Sequence, residues 1–193
     1  NVINSNLGGT KANYYVENDL DYVIKSKTRD GLLRAELTLK YKHTGDDESW
    51  PGGPYTDYVR VLTQEGSRLT GATITYDKAV EEDIFEDIII SEIPPYTSFE
   101  TNFELQPASE IELVIYYDLP QEFSITKDNN KYSLFWQKQA GTHDDDFLFS
   151  FDIPFGMNYV GGSEILEKSE GSEDKVGTAG KLNEDLNINI NLE

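Results

Sequence analysis

The first group of residues that could do chemistry is His143-Asp144-Asp145-Asp146. Carboxylate oxygens packed this closely can hold Ca²⁺, which takes six to eight oxygen ligands. The Asp-x-Asp-x-Asp-Gly spacing of an EF-hand loop is absent, and the chain has 36 acidic residues, so adjacent aspartates also arise in ordinary polar turns. The sequence favours the polar tip of a loop before a strand. The alternative is a Ca²⁺ site formed by Asp144, Asp145 and Asp146.

The second group is Asp46-Asp47-Glu48, followed by Trp50-Pro51-Gly52-Gly53-Pro54-Tyr55. Exposed aromatic rings can stack on the apolar face of a sugar while carboxylates accept hydrogen bonds from its hydroxyl groups. The candidate ligand-binding residues are therefore Trp50, Tyr55, Asp46, Asp47 and Glu48. The sequence favours a structural alternative, in which Trp50 folds back from a long loop to cap the core.

Catalytic signatures are weak along the chain. Paired carboxylates could run glycoside hydrolysis, but sequence spacing does not show which pairs meet in space. No Gly-x-Ser-x-Gly motif occurs, and the phosphate-loop pattern near Gly177 fails because Leu182 stands where Ser or Thr is required. His43 continues the apolar register of Leu39 and Tyr41, so we interpret it as a strand-end side chain. We expect no enzyme, with a hydrolase as the alternative.

Composition excludes several kinds of protein. The 193 residues include 16 Lys and Arg against 36 Asp and Glu, for a formal net charge of -20. Binding to nucleic acid or to an anionic membrane is disfavoured, because both need clustered basic residues. The chain has no Cys, which excludes disulfides, thiolate metal sites and a cysteine nucleophile. We therefore expect an acidic globular domain with neither a nucleic-acid partner nor direct membrane contact.

Elements that would position these residues are strands, because the dominant hydrophobic period is two. From Leu33 to Tyr41, every second residue is apolar and the others are polar. An apolar alternation also runs upstream of the turn signal Asp30-Gly31, so residues 19–42 are predicted to form a hairpin. Two more hairpins are predicted, one around Glu65-Gly66-Ser67 and one around Pro107-Ala108-Ser109.

About nine or ten such strands predict an all-β fold, a two-sheet antiparallel β-sandwich that is immunoglobulin-like or related. Two segments lack the pattern. Residues 1–13 are interpreted as an entry linker from an upstream region, and residues 161–185 as a long polar acidic loop. The predicted organisation is thus a linker followed by one sandwich domain over residues 14–193.

Several phrases resemble a known family. In order along the chain they are Asn6-Leu7-Gly8-Gly9-Thr10-Lys11-Ala12-Asn13-Tyr14-Tyr15, Trp50-Pro51-Gly52-Gly53-Pro54-Tyr55 with Tyr58-Val59-Arg60-Val61, Tyr116-Tyr117-Asp118-Leu119-Pro120, and Tyr132-Ser133-Leu134-Phe135-Trp136-Gln137-Lys138-Gln139-Ala140-Gly141-Thr142. Together they resemble the C-terminal β-rich domain of an uncharacterised bacterial cell-envelope protein family, catalogued as a domain of unknown function. The resemblance covers most of residues 1–155. Ala140 departs from it, since the family usually has Pro there.

This resemblance implies a location and no site residues. Members of the family carry an N-terminal membrane anchor and a long helical region before this domain, often in polysaccharide-related gene contexts. The expected function is a non-catalytic structural or interaction module, extracellular on the bacterial cell surface, in a parent chain anchored to the membrane. Its expected partners are envelope polysaccharide or another surface protein. The first alternative is a glycan-binding module for envelope polysaccharide, and the second is an enzyme of envelope polysaccharide metabolism. No cofactor is expected besides the Ca²⁺ considered above.

Overall fold

Alternating apolar and polar residues build the structure almost entirely from strands. A computed structural model describes residues 1–26, 31–46, 50–142, 144–169 and 174–193. Within these ranges there are three single turns of 3₁₀ helix, at Ala12–Tyr15, Phe85–Asp87 and Gln121–Phe123. The same ranges contain fifteen strands: β1 (Val2–Asn6), β2 (Val16–Ser26), β3 (Leu33–His43), β4 (Tyr55–Gln64), β5 (Arg68–Tyr76), β6 (Glu82–Asp83), β7 (Ile89–Ile93), β8 (Tyr96–Leu105), β9 (Glu110–Asp118), β10 (Lys131–Trp136), β11 (Asp145–Asp152), β12 (Tyr159–Gly162), β13 (Glu167–Lys168), β14 (Lys175–Leu182) and β15 (Leu186–Leu192).

The largest sheet has eight strands in the order β13-β14-β11-β2-β3-β9-β5-β6. Strand β3 is central, and its alternation puts Leu33, Leu37 and Tyr41 on a buried face. Cross-strand partners continue that face, since Leu37 lies opposite Tyr22 on β2 and Ile115 on β9. Strand β11 joins β2 in parallel, with Phe149 beside Tyr22. One side of this sheet is therefore apolar, and the other carries the polar residues.

Two smaller sheets cover the apolar face. The four-stranded sheet β1-β4-β8-β7 lies over β3 and β9, where Phe103 meets Tyr41 with ring centroids 4.7 Å apart. The three-stranded sheet β10-β15-β12 lies over β2 and β11, where Tyr132 meets Phe151 at 5.1 Å. All three sheets contribute to one buried cluster of hydrophobic side chains. The all-β prediction is confirmed and the arrangement is sandwich-like, but it has three sheets where two were predicted.

The predicted hairpins have different outcomes. Strands β2 and β3 pair antiparallel as predicted, although residues 27–30 of their turn lie outside the described residues. The turn at Gly66 connects β4 in the four-stranded sheet to β5 in the eight-stranded sheet, so it is a crossing between layers. The turn after Pro107 likewise carries the chain from β8 to β9. These two hairpin predictions are wrong, because each strand buries its apolar face by pairing with a strand distant in sequence.

Both segments predicted to lack strands contain them: β1 lies in residues 1–13, and the end of β12, β13 and β14 lie in residues 161–185. Strand β1 lies in the expected linker and pairs with β4, Val2 opposite Val61. Strand β14 lies in the expected loop and pairs with all eight residues of β11. Its buried residues are only Val176 and Leu182, and small residues between them let it approach β11 closely. Residues 170–173 of that expected loop lie outside the described residues. Among the described residues, no helix is long and apolar enough to cross a membrane.

Candidate ligand-binding groove

Hydrogen bonds to a buried histidine and to a neighbouring loop hold the loop that carries Trp50 against the core. His43 is 1% exposed at the end of β3, and its Nε2 lies 3.0 Å from the Gly53 carbonyl oxygen. The Gly45 N–H donates to Nδ1 of the same ring at 3.1 Å. The Lys11 N–H donates to the Pro51 carbonyl oxygen at 3.0 Å, which joins this loop to the loop before β2.

Trp50 does not cap the core. Its side chain is 74% exposed, so the interpretation favoured by the sequence is wrong. The predicted pairing with Tyr55 does not form either, because Tyr55 begins β4 and is 4% exposed. Asp46 lies exposed on the same loop, and Asp47 and Glu48 lie outside the described residues. The loop thus presents one aromatic ring to solvent.

The three predicted metal ligands lie at the start of β11, where the strand separates them. Asp145 is buried and accepts a hydrogen bond from Asn18 Nδ2 at 3.3 Å. Asp146 points to the other face and pairs with Lys181 Nζ at 2.7 Å. Within the described ranges, no three His, Cys, Asp or Glu side chains gather as metal ligands. His143, beside Asp144, lies outside those ranges.

Side-chain amides line a cavity of about 320 Å³ beside the loop that carries Tyr14. Gln139 binds β1 as a neighbouring strand would, since its Oε1 accepts from the Asn4 N–H at 2.8 Å and its Nε2 donates to the Asn4 carbonyl at 2.9 Å. Asn6 Nδ2 donates to the Thr10 carbonyl at 3.1 Å. Amides both donate and accept, as hydroxyl-bearing ligands require. The amide residues of the wall are Asn4, Asn6, Asn13, Asn18 and Gln139.

A second cavity of about 450 Å³ lies next to the first, since Tyr14 and Asn18 line both. Its walls are mainly acidic. The ionisable side chains that line it are Glu17, Asp19, Asp144, Asp145, Asp146 and Lys181, besides two tyrosines. A third cavity of about 480 Å³ shares three of these acids and adds three lysines, Lys40, Lys42 and Lys78. We call these three neighbouring cavities, which share lining residues, the groove.

Tyr14 marks the place where the amide-lined and acidic parts of the groove meet. Its side chain is 70% exposed. Its ring packs edge-on against Tyr15, with centroids 5.4 Å apart and planes at 88°. Tyr15 stacks on His43 and accepts hydrogen bonds at its carbonyl oxygen from both the N–H and the Oγ1 of Thr44, each at 2.8 Å. The exposed Tyr14 ring therefore packs against a residue, Tyr15, whose own position is fixed by its contacts with His43 and Thr44.

Charges within the groove are partly paired. Burial, reinforced by the charge of Asp146, raises the pKa of Asp19 above its usual value. The hydrogen bond to Asp146 raises the pKa of Lys181, and the hydrogen bond to Asp21 does the same for Lys40. Lys40 and Lys181 therefore stay protonated at neutral pH. Acids outnumber bases along the walls.

A separate apolar cleft of about 340 Å³ opens between the two smaller sheets. Its wall includes Tyr22 and Tyr117, whose hydroxyl oxygens lie 2.9 Å apart. Tyr96, Phe123 and Phe135 are partly exposed lining residues, and Glu65 and Glu122 lie among them. This cleft shares no residue with the groove.

Sequence reasoning missed Asn4, Asn6 and Asn13 because they belong to the segment interpreted as a linker, and it assigned no binding role to Tyr14, Asn18 or Gln139. The signal available was the repeated Asn of residues 1–18, at positions 1, 4, 6, 13 and 18. That signal could not place them, since Gln139 lies 135 residues from Asn4.

Other solved structures share this architecture at identities that show the fold alone. A proposed nutrient binding protein from Legionella pneumophila has a TM-score of 0.50 at 7% identity, over 97% of this chain and 69% of that one. A proposed protease from Parabacteroides distasonis has a TM-score of 0.51 at 5% identity, over 92% of this chain and 40% of that one. A further structural match, to an M1 zinc metallopeptidase from Deinococcus radiodurans, has a TM-score of 0.41 at 9% identity, over 91% of this chain and 42% of that one, and does not bear on the shared architecture.

This chain therefore spans less than half the length of the two peptidase chains. No protein-family model matches the sequence, and no curated protein matches it.

Proposed function

We propose that this chain is a non-catalytic recognition module of a bacterial surface protein, and that its groove binds a strand of envelope polysaccharide. The observation that carries the proposal is the position of Tyr14. Its exposed ring lies where the amide-lined cavity meets the acidic cavity, so a chain of sugars passing over it would find hydrogen-bonding groups on both sides.

The chemistry of the walls narrows the kind of glycan. Amides and carboxylates suit hydroxyl groups, and carboxylates also attract protonated amines. With a net charge of -20, the protein repels polyanions. The expected ligand is a neutral or amino-sugar polysaccharide. The extracellular location is inferred from the family resemblance.

A retention assay tests the proposal. The purified chain is applied to immobilised peptidoglycan and to a panel of neutral, amino-sugar and anionic envelope polysaccharides. We expect retention on a neutral or amino-sugar polymer. Retention should fall at least tenfold in Tyr14→Ala, because the stacking of the Tyr14 ring on a sugar is removed. Retention of Tyr14→Ala at the level of the unaltered protein, or no retention of either, contradicts the proposal.

Phe155→Ala is the matched control. Phe155 is also an exposed aromatic residue, at 92%, but it follows the far end of β11, about 25 Å along the strand from the groove. Its substitution should leave retention unchanged. Trp50→Ala in the same assay shows whether the neighbouring loop extends the site. Equal retention in Ca²⁺ and in chelator is expected, and dependence on Ca²⁺ would return the aspartates of β11 to consideration as ligands.

A further inference from the structure

Strand β7 forms one edge of the four-stranded sheet, and its isoleucines face solvent. Among the described residues it pairs with β8 on one side only, from Ile89 opposite Glu100 to Ile93 opposite Tyr96. Ile89 and Ile90 are each 54% exposed, and successive residues of a strand point to opposite faces. The edge is therefore apolar on both faces, a condition that natural edge strands usually prevent with Lys or Pro.

The other edges of the smaller sheets are β1, β10 and β12. Strand β10 carries the exposed Lys131 and Ser133 on its outward face beside Phe135, and a charged residue on an edge strand discourages pairing. The remaining two edges are protected. On β1, the amide group of Gln139 occupies both the N–H and the carbonyl of Asn4. On β12, the register is irregular at Gly161, and the strand is only four residues long. In the part of the chain that the structure describes, no side chain hydrogen-bonds to the backbone of residues 89–93. Strand β7 is thus the edge suited to receive another strand.

Charge around β7 decides what kind of segment it can receive. Residues 79–126 contain twelve Asp and Glu and no Lys or Arg. Six of these acids flank the strand and are exposed: Glu81, Glu82, Asp83, Glu86, Asp87 and Glu92. A second copy of this chain would bring the same acids against them, in a protein of net charge -20. Like charges placed opposite each other destabilise a strand pair.

We propose that β7 binds an extended segment of a partner protein in which basic and aliphatic residues alternate. The segment adds to the four-stranded sheet as a fifth strand, next to β7. Main-chain hydrogen bonds supply affinity, and side chains that match the edge supply specificity. Its aliphatic residues cover Ile89 and Ile93 on one face, and its lysines or arginines lie on the other face, beside Ile90 and Glu92, where they meet the surrounding acids. This surface is separate from the groove, so it adds a protein partner to the proposed glycan ligand.

A fluorescein-labelled peptide of six Lys-Val repeats probes this surface. We expect saturable binding by fluorescence anisotropy, weakening strongly between 50 and 500 mM NaCl because exposed charges are screened. A Glu-Val peptide of the same length should not bind. Hydrogen exchange with and without the peptide should show new protection in residues 89–93. Absence of binding, or protection confined to another strand, would overturn the proposal.

Two variants with the same change of charge separate edge binding from general attraction to an acidic protein. Ile90→Lys blunts β7, and Val160→Lys makes the same change at a residue 53% exposed on the edge strand β12. Ile90→Lys should weaken peptide binding at least tenfold, while Val160→Lys changes it less than twofold. Both side chains are more than half exposed, so both variants should fold. Equal binding by the two variants overturns the proposal.

Two further measurements identify the occupant and separate the two proposals. Sedimentation should show the protein alone as a monomer. A dimer that Ile90→Lys dissociates would overturn the proposal, because a second copy of the chain would then be the partner of β7. Tyr14→Ala should bind the peptide normally, so failure of glycan binding and failure of peptide binding can be distinguished.

Discussion

His43 shows how one buried side chain positions a surface loop. Because Nδ1 accepts a hydrogen bond from the Gly45 N–H, the ring proton lies on Nε2, which then donates to the Gly53 carbonyl. Both nitrogens are thereby occupied in the neutral ring, which leaves neither for acid–base chemistry. The sequence interpretation of His43 as a strand-end side chain agrees with this geometry.

Replacing His43 with Leu should destabilise the protein by about 1–3 kcal/mol, because the Gly53 carbonyl and Gly45 N–H lose their partners while the volume is kept. Urea denaturation followed by fluorescence measures the change. Lys42→Ala, at the exposed neighbouring position, is the control and should change stability by less than about 0.5 kcal/mol. Equal effects of the two substitutions would show that the loop does not depend on the ring.

Asp57 carries a buried charge that should make stability fall as pH rises. Its side chain is fully buried on β4, and burial raises its pKa from 3.8 to about 6. Between about pH 4 and pH 6, the folded protein therefore binds a proton that the unfolded chain has released. The contribution of Asp57 to stability is therefore fully present below about pH 4 and is lost as the pH rises through about 6.

Asp57→Asn tests that account, because an amide has nearly the same shape and does not ionise. At pH 7.5 the substitution should raise the free energy of unfolding by roughly 1–3 kcal/mol relative to its effect at pH 4. Chemical denaturation at both pH values gives the difference. The matched control is Asp46→Asn, the same substitution at an exposed position, and it should show no such difference. An effect of Asp57→Asn that does not change with pH would mean that ionisation of Asp57 does not destabilise the folded protein.

At the scale of elements, sequence periodicity correctly sorts the residues of β3 into a buried and an exposed face. It also predicts the pairing of β2 with β3, because both strands carry a clear apolar alternation on either side of a turn signal. The predicted hairpin pairings fail at Gly66 and after Pro107. A turn signal shows that the chain reverses direction, but it does not show whether the next strand bonds to the previous one or crosses to another sheet.

Two of the missed strands, β1 and β14, share a different cause. Neither has the apolar alternation that marks a strand, because β1 has only two apolar residues, Val2 and Ile3, next to each other, and β14 is mostly small and polar between Val176 and Leu182. Each is held by a partner distant in sequence, β4 for the first and β11 for the second. The groove was missed for the same reason, since it depends on β1 lying beside Gln139. Local sequence does not contain that contact.

Gly177 tests how β14 is held. A Cβ added there would lie 2.4 Å from the Phe149 carbonyl oxygen, closer than any real contact. Gly177→Ala should therefore push β14 away from β11 and destabilise the protein by about 1–3 kcal/mol. At Gly180, an added Cβ would meet only the Phe147 ring at 3.4 Å, so Gly180→Ala should be close to neutral. Urea denaturation compares them, and hydrogen exchange should show faster opening of residues 147–151 in Gly177→Ala alone.

At the scale of the whole molecule, the excess of acidic residues opposes folding through repulsion among like charges. The net charge is -20, and residues 79–126 contribute twelve acids without a base. Local ion pairs act in the opposite direction, as between Lys25 and Glu36 at 2.5 Å and between Lys40 and Asp21 at 3.1 Å. Salt weakens both effects, so the response of stability to salt shows which one dominates.

We expect repulsion to dominate, because exposed ion pairs contribute little and acids outnumber bases by more than two to one. Raising NaCl from 10 to 150 mM shortens the screening length from about 30 to about 8 Å and should raise the melting temperature by about 2–4 °C. The double variant Glu65→Lys/Glu81→Lys, at two exposed sites, changes the net charge to -16. Repulsion scales with the square of net charge, so this variant should show about two thirds of the rise. A melting temperature that falls with salt would mean that the ion pairs, and not the excess charge, control stability.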